Sequence, residues 1–197
     1  MAIKVIVFDF DGTLIDSNQL KYDTFFKLFP SDQFHRNIIA DVLKEFLEES
    51  RYVILWEIVR RIGHNSREKT EIEDLAVKYN DIVVEDAKTC KEIPGAHKTL
   101  QVLSNKYHLY LSSTTPQEAL EEIVKHRNLD GYFCKIFGYP HNKITSLREI
   151  IQRESVNHEE VLVVGDGESD KVSALETGCC FFEIDKDGVL QDVRDYL

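Results

Sequence analysis

The chain of 197 residues predicts a doubly wound, Rossmann-like α/β fold with an α-helical domain inserted into it. Three observations lead there. Five short runs rich in Val, Ile, Phe and Tyr read as strands, several of them apolar without alternation, as suits strands buried on both faces of a parallel sheet. Helical segments separate the last four of these runs, which is the alternation of a βα-wound sheet. Between the first run and the second lie about a hundred residues with helical patterning alone, far more than a single crossover needs.

Taken in order, "IKVIVF" (3–8) is the first strand. Then come "NQLKYDTFFKLF" (18–29), "QFHRNIIADVLKEFLEE" (33–49), "YVILWEIVRRIG" (52–63) and "REKTEIEDLAVKYNDIVVEDA" (67–87), all helical in pattern. The second of these repeats apolar residues at Ile38, Val42, Leu43, Phe46 and Leu47, and the third stops at Gly63. Trp56 sits among Ile54, Leu55, Ile58 and Val59 and is expected to pack in the core. Pro94-Gly95 marks a turn before the helix "HKTLQVLSNKY" and the second strand "HLYLSS" (108–113). "TPQEALEEIVKHR" is expected to begin with Thr115 as N-cap, Pro116 at the first helical position and Glu118 completing a capping box. "CKIFG" (134–138), "VLVVG" (161–165) and "CCFFEI" (179–184) are the remaining strands. Between them, "KITSLREIIQRE" sets Ile144, Leu147, Ile150 and Ile151 on one face, and "SDKVSALETG" ends on Gly178, a natural helix stop. The expected domains are a sheet core of residues 1–15 and 90–197 and a helical bundle of residues 16–89.

Composition narrows the function. Hydrophobic residues make up 43% and charged residues 30%, as in ordinary globular proteins, and the formal net charge is -11. Such a field repels a phosphate backbone, so nucleic acid is not expected as the partner. Cys90, Cys134, Cys179 and Cys180 form no C-x-x-C pair and read as free thiols, and the seven histidines show no zinc-like spacing. No run is long enough for a membrane span, and the first apolar run is too short for a signal-peptide core. The expectation is a cytoplasmic protein without membrane or nucleic-acid partners, monomeric or homodimeric.

In open parallel sheets, ligands bind beyond the carboxyl ends of the strands. The first strand ends on Asp9, with Asp11 two positions on, followed at once by Gly12. Two like charges so close repel, which calls for something positive between them. The second strand ends on Ser112, followed by Ser113, Thr114 and Thr115. Lys143 opens the helix after the third strand, and the fourth strand runs into "GDGESD", supplying Asp166 and Asp170.

"DFDGTL" at 9–14, the hydroxyl at 112, the lysine at 143 and "GDGESD" at 165–170 resemble, in order and placement, the motifs of the haloacid dehalogenase-like phosphohydrolases. The helical insertion resembles that family's bundle-type cap, as in its phosphoglycolate phosphatase and beta-phosphoglucomutase-like branch. The resemblance implies a Mg²⁺-dependent phosphatase acting on a small phosphorylated metabolite. Asp9 would be the nucleophile and would form an aspartyl-phosphate. Mg²⁺ would be held by Asp9, Asp166 and, through its backbone carbonyl, Asp11, and would offset the repulsion between carboxylate and phosphate. Asp11 would protonate the leaving group and then take a proton from water. Ser112 and Lys143 would bind phosphoryl oxygens, with backbone N–H groups near Ser113 completing the cradle. Asp170 would support the metal through water or orient Lys143.

Plainer readings stand beside these. Asp-Gly after a strand is a turn, Ser112 is a strand-end hydroxyl with Ser113 or Thr114 as alternates, Lys143 is a solvated helix start, and Asp170 is an N-cap. Lys135 is a second candidate for the lysine but sits inside the third strand. In the insertion, Arg51, Arg60 and Arg61 are either a second anion site or a salt-bridged helix surface beside Glu48, Glu49 and Glu57. His141 and Asn142 either line the entrance or form a polar loop. Of the rival reactions on this scaffold, Asp11 argues against a dehalogenase, a phosphonate-cleaving enzyme would need Lys21 or Lys27 as a Schiff base, and a phosphosugar mutase would use the same core residues. A binding module that had kept only the shape would have no need of the complete set Asp9, Asp11, Lys143 and Asp166.

Overall fold

A computed structural model describes residues 2–46, 49–63, 69–184 and 189–197. Its packing divides the chain into two units, Met1–Ser17 with Lys88–Leu197, and Asn18–Ala87.

The first unit is built on a five-stranded sheet, all of whose pairings are parallel, in the order β3-β2-β1-β4-β5. β1 (Val5–Phe8) lies at its centre between β2 (His108–Pro116) and β4 (Val161–Gly165), with Phe8 level with Leu111 and Val164. Every residue of β1 and β4 is buried, which is why both runs are apolar without alternation. One face carries Val5, Val7, Tyr110, Phe137, Val161 and Val163, packed with Leu147 and Ile150 of α7 (Lys143–Glu154) and Ala174 of α8 (Glu168–Thr177). Ile6 and Phe8 turn to the opposite face by the pleat. α8 stops at Gly178, whose φ of 73° is the left-handed conformation that suits glycine. β3 (Lys135–Tyr139) and β5 (Cys180–Glu183) form the edges. All four cysteines are free thiols.

Two further helices complete the connections around β2. α5 (Ala96–Leu103) follows Gly95, whose φ is 82°. α6 (Gln117–His126) starts later than the sequence pattern suggests, because β2 continues through Thr115 to Pro116. Pro116 has φ −52° and ψ 139°, so it stands outside the helix, and no side chain caps α6. Thr115 is therefore not the N-cap, and its hydroxyl has another partner, described below.

The chain leaves and re-enters this unit along two adjacent segments. Ile15 and Glu92 form an antiparallel bridge, Asp16 N–H donates to Lys91 O at 2.8 Å, and Ile93 N–H donates to Leu14 O at 3.0 Å.

The second unit holds α1 (Asn18–Lys27), α2 (Gln33–Phe46), α3 (Arg51–Ile62) and most of α4 (Lys69–Thr89). Its core gathers Phe25, Ile39, Leu43, Leu55, Ile58 and Tyr79. Leu47 and Glu48, expected in the second helix, and Arg67 and Glu68, expected at the start of the fourth, lie outside the described residues. Trp56 does not pack in this core. It is 44% exposed, with the Arg60 guanidinium 5.7 Å from its ring centre. Helical angle explains the difference: Trp56 shares a face with Tyr52 and Arg60, whereas Ile54, Leu55 and Ile58 face inward. Arg60 pairs with Glu57 at 2.7 Å, Arg61 with Glu45 at 2.7 Å, and Arg51 donates to Asn80, so these cations have partners within the unit. Among the described residues, no helix is long and apolar enough to cross a membrane.

Candidate active site

The site forms where β1 and β4 run out. Asp9 is the first residue past β1, and its N–H still donates to Val164 O at 2.8 Å, so its backbone is held by the sheet. The chain then turns back sharply. Gly12, at φ 79°, allows the turn, Gly12 N–H donates to Ile15 O at 2.8 Å, and Leu14 N–H donates to Phe10 O at 2.9 Å. Inside this loop Thr13 is fully buried, and its hydroxyl lies 3.4 Å from Asp166 Oδ1.

Lys143 is the first residue of α7. The Asn142 side chain caps that helix, accepting from Thr145 N–H at 2.8 Å, and so fixes where Lys143 begins. Lys143 Nζ donates to Asp9 Oδ1 at 2.9 Å and to Asp170 Oδ1 at 2.7 Å. The competing candidate, Lys135, is paired with Glu149 at 2.6 Å. Asp170 lies in the first turn of α8 but does not cap it, the N-cap being Gly167. Its carboxylate is tucked against Gly165: a Cβ built at position 165 would fall 2.3 Å from Asp170 Cγ. Glycine is required there because the acid occupies the space a side chain would take.

One carboxylate oxygen from each of Asp9, Asp166 and Asp170 lies within 4.8 Å of the others. Three acids thus meet, two of them, Asp9 and Asp170, bonded to the Lys143 ammonium. Asp170 Oδ2 is buried and has no hydrogen-bond partner, an arrangement that is costly unless a cation or water satisfies it. Hard oxygen donors, a surplus of negative charge and an orphaned buried oxygen fit a divalent cation such as Mg²⁺. Electrostatics agrees. Burial pushes the Asp9 carboxyl up to about 7, against the lowering influence of Lys143 and with Asp170 and Asp11 raising it further. Burial likewise raises Asp170. Burial opposes the charge on Lys143, but the two carboxylates beside it hold its pKa above the usual lysine value.

The remaining residues singled out in the sequence fall close by. Ser112, buried, lines the same recess as Asp9, Lys143 and Asp170. Ser113 is also buried, and its Oγ accepts from Thr115 N–H at 3.1 Å. The carboxylate of Asp11 is not one of the three clustered acids. Ser17 Oγ donates to its Oδ1 at 2.6 Å and Thr115 Oγ1 to its Oδ2 at 2.8 Å. Thr13 has a place in "DFDGTL" and Thr115 a place beyond the second strand, but the sequence assigns neither of them a role at the site. Ser17 carries no distinctive pattern, and the capping pattern around Thr115 points away from Asp11. His141 sits edge-on to Phe137, its ring centre 5.7 Å away.

An α/β sheet with acids and a lysine converging at its carboxyl edge defines a class of hydrolases rather than one enzyme. The family model for haloacid dehalogenase-like hydrolases matches residues 6–184, and the chain belongs to that family. Among curated relatives, it is 27% identical over 195 residues to a phosphorylated carbohydrates phosphatase of Thermotoga maritima, covering 89% of this chain and 82% of that protein. It is 24% identical over 197 residues to a phosphoglycolate phosphatase of Vibrio parahaemolyticus, covering 91% and 82%. Among solved structures, it is similar to the HAD hydrolase YfnB of Bacillus subtilis bound to magnesium, with a TM-score of 0.73, 16% identity and coverage of 93% and 87%. A Thermotoga maritima protein described as a beta-phosphoglucomutase gives a TM-score of 0.72 at 17% identity, covering 99% and 100%. At these identities the structural likenesses speak to the fold.

Proposed function

We propose that this chain is a phosphatase that hydrolyses a small phosphorylated metabolite through an aspartyl-phosphate on Asp9. The observation that carries the reading is the meeting of Asp9, Asp166 and Asp170 at the sheet edge, with Lys143 bonded to Asp9 and Asp170. The names of the two curated relatives described above, both phosphatases, support the same reaction class. Asp9, Asp166 and Asp170, with the backbone carbonyl of Asp11, would hold Mg²⁺, which when bound neutralises charge on the acids and on the phosphoryl group.

The protein's own groups do the rest. Lys143, already bonded to Asp9, keeps that carboxylate aligned and offers its charge to the phosphoryl oxygens. Ser112 adds a hydroxyl in the same recess. Asp9 attacks phosphorus, forming an O–P bond as the bond to the leaving oxygen breaks, and Asp11 delivers a proton to that oxygen. Asp11, now ionised, takes a proton from the water that attacks the phosphoryl group, so Asp9 and inorganic phosphate are released. The helical insertion serves as the substrate-selecting cap.

The test is phosphate release from a panel of sugar phosphates, phosphoglycolate, amino-sugar phosphates and nucleotides with Mg²⁺. Wild-type protein is expected to turn over at least one ester and Asp9→Asn none. Equal, negligible release by both across the panel refutes the reading. Isomerisation of a sugar phosphate without net release of phosphate favours a mutase instead.

A further inference from the structure

We infer that Thr115 is a positioning residue that fixes the carboxylate of Asp11 for proton transfer. The inference rests on the acid–base role proposed above for Asp11.

Both oxygens of that carboxylate are tied. Ser17 holds Oδ1, and Thr115, from a segment about a hundred residues away, holds Oδ2 at 2.8 Å. A carboxylate held at one oxygen still swings about its χ angles. Held at both, by hydroxyls from separate segments, it has one orientation. A proton donor works only when its oxygen sits within hydrogen-bond reach and in line with the leaving atom, so this orientation matters for rate.

The surrounding backbone is shaped to bring Thr115 there. The register between β2 and β3 shifts between Ser112 and Pro116, an irregularity of the kind that re-aims a side chain next to an active site. Thr115 N–H is held by Ser113 Oγ. On the far side, Gly138 of β3 lets the segment approach: a Cβ there would lie 2.7 Å from Thr115 O and 2.6 Å from Gln117 Cα. The Gln117 side chain donates to Ile136 O at 3.1 Å and accepts from Gly138 N–H, locking the segment to the sheet. Thr-Pro-x-Glu is also a good sequence for capping a helix, yet α6 has no side-chain cap. The hydroxyl has been taken from the helix and given to Asp11.

Leaving-group dependence provides the test, because protonation is needed for an alkoxide and hardly at all for a nitrophenolate. The value of kcat/KM reports the phosphorylation half of the reaction. It is measured with Mg²⁺ for an alkyl phosphate and for p-nitrophenyl phosphate, in wild type, Thr115→Val and Thr115→Ser. Thr115→Val keeps the β-branched shape without the hydroxyl and is expected to lose about tenfold on the alkyl ester but less than about threefold on the aryl ester. Thr115→Ser restores the hydroxyl and is expected to return both values to within about threefold of wild type. Thr115→Ala is read in the same way if the valine variant does not melt cooperatively. Equal losses on the two esters, no loss on the alkyl ester, or a serine variant as impaired as the valine one overturns the inference while leaving the phosphatase reading intact. The alkyl ester is the one that wild type turns over fastest in the panel above, and a wild-type protein that hydrolyses no ester of that panel overturns both.

Discussion

At the scale of single residues, the site is a contest between burial and charge. Asp9 is 7% exposed, and burial is the largest influence on its carboxyl, which rises from 3.8 to about 7. The folded protein therefore binds that proton more tightly than the unfolded chain. The stability this contributes is complete below the unfolded value and is lost as pH climbs through about 7. A divalent cation competes with the proton for the same oxygen, so its stabilising effect should run the other way. The expected outcome is that Mg²⁺ raises the melting temperature more at about pH 8 than at about pH 5, relative to protein kept in chelator, and that Asp9→Asn abolishes most of that difference. Thermal unfolding at the two pH values decides it, and a larger shift at the lower pH contradicts the assignment. Asp9, Asp166 and Lys143 were legible in the sequence because each stands at the end of a strand or the start of a helix, where a sheet of this class presents its chemistry. The partners of Asp11 were not, since nothing local distinguishes Ser17 or Thr115 from an ordinary hydroxyl.

At the scale of elements, strands and helices place these groups, and single glycines leave the room they need. The last residue of β4 shows it: with a Cβ only 2.3 Å from Asp170 Cγ, alanine at 165 must expel the acid from its seat. Gly165→Ala is expected to break the 2.7 Å bond between Asp170 and Lys143, to destabilise the protein by about 1–3 kcal/mol and to lower turnover at least about tenfold. Denaturant unfolding and steady-state rates measure the two effects, and an unaltered protein would show that the acid has room to move. The strands β1 and β4 were legible because residues buried on both faces leave an unbroken apolar run. The start of α6 was not, because local grammar names Thr115 a cap and only the tertiary bond to Asp11 says otherwise. Trp56 was misplaced for a simpler reason: its neighbours in sequence are apolar, but its neighbours around the helix are Tyr52 and Arg60.

At the scale of the whole molecule, the arrangement of chain segments matters more than any one contact. Helical patterning marked the insertion: even its unbroken apolar run "YVILW" (52–56) continues into the helical spacing of Ile58, Val59 and Ile62. The way the insertion is spliced in could not be read, because it depends on pairing between residues far apart in sequence. Departure and return are zipped together, Leu14 to Ile93 and Asp16 to Lys91. The sheet-bearing unit thus closes its own ring before the helices begin. Joining Asp16 to Lys91 through a short glycine–serine bridge, in place of everything between, leaves only a small loop to close. Such a miniature should still melt cooperatively and still bind Mg²⁺, as read by calorimetry, and a chain that collapses without a melting transition would mean that the excised helices hold the sheet upright.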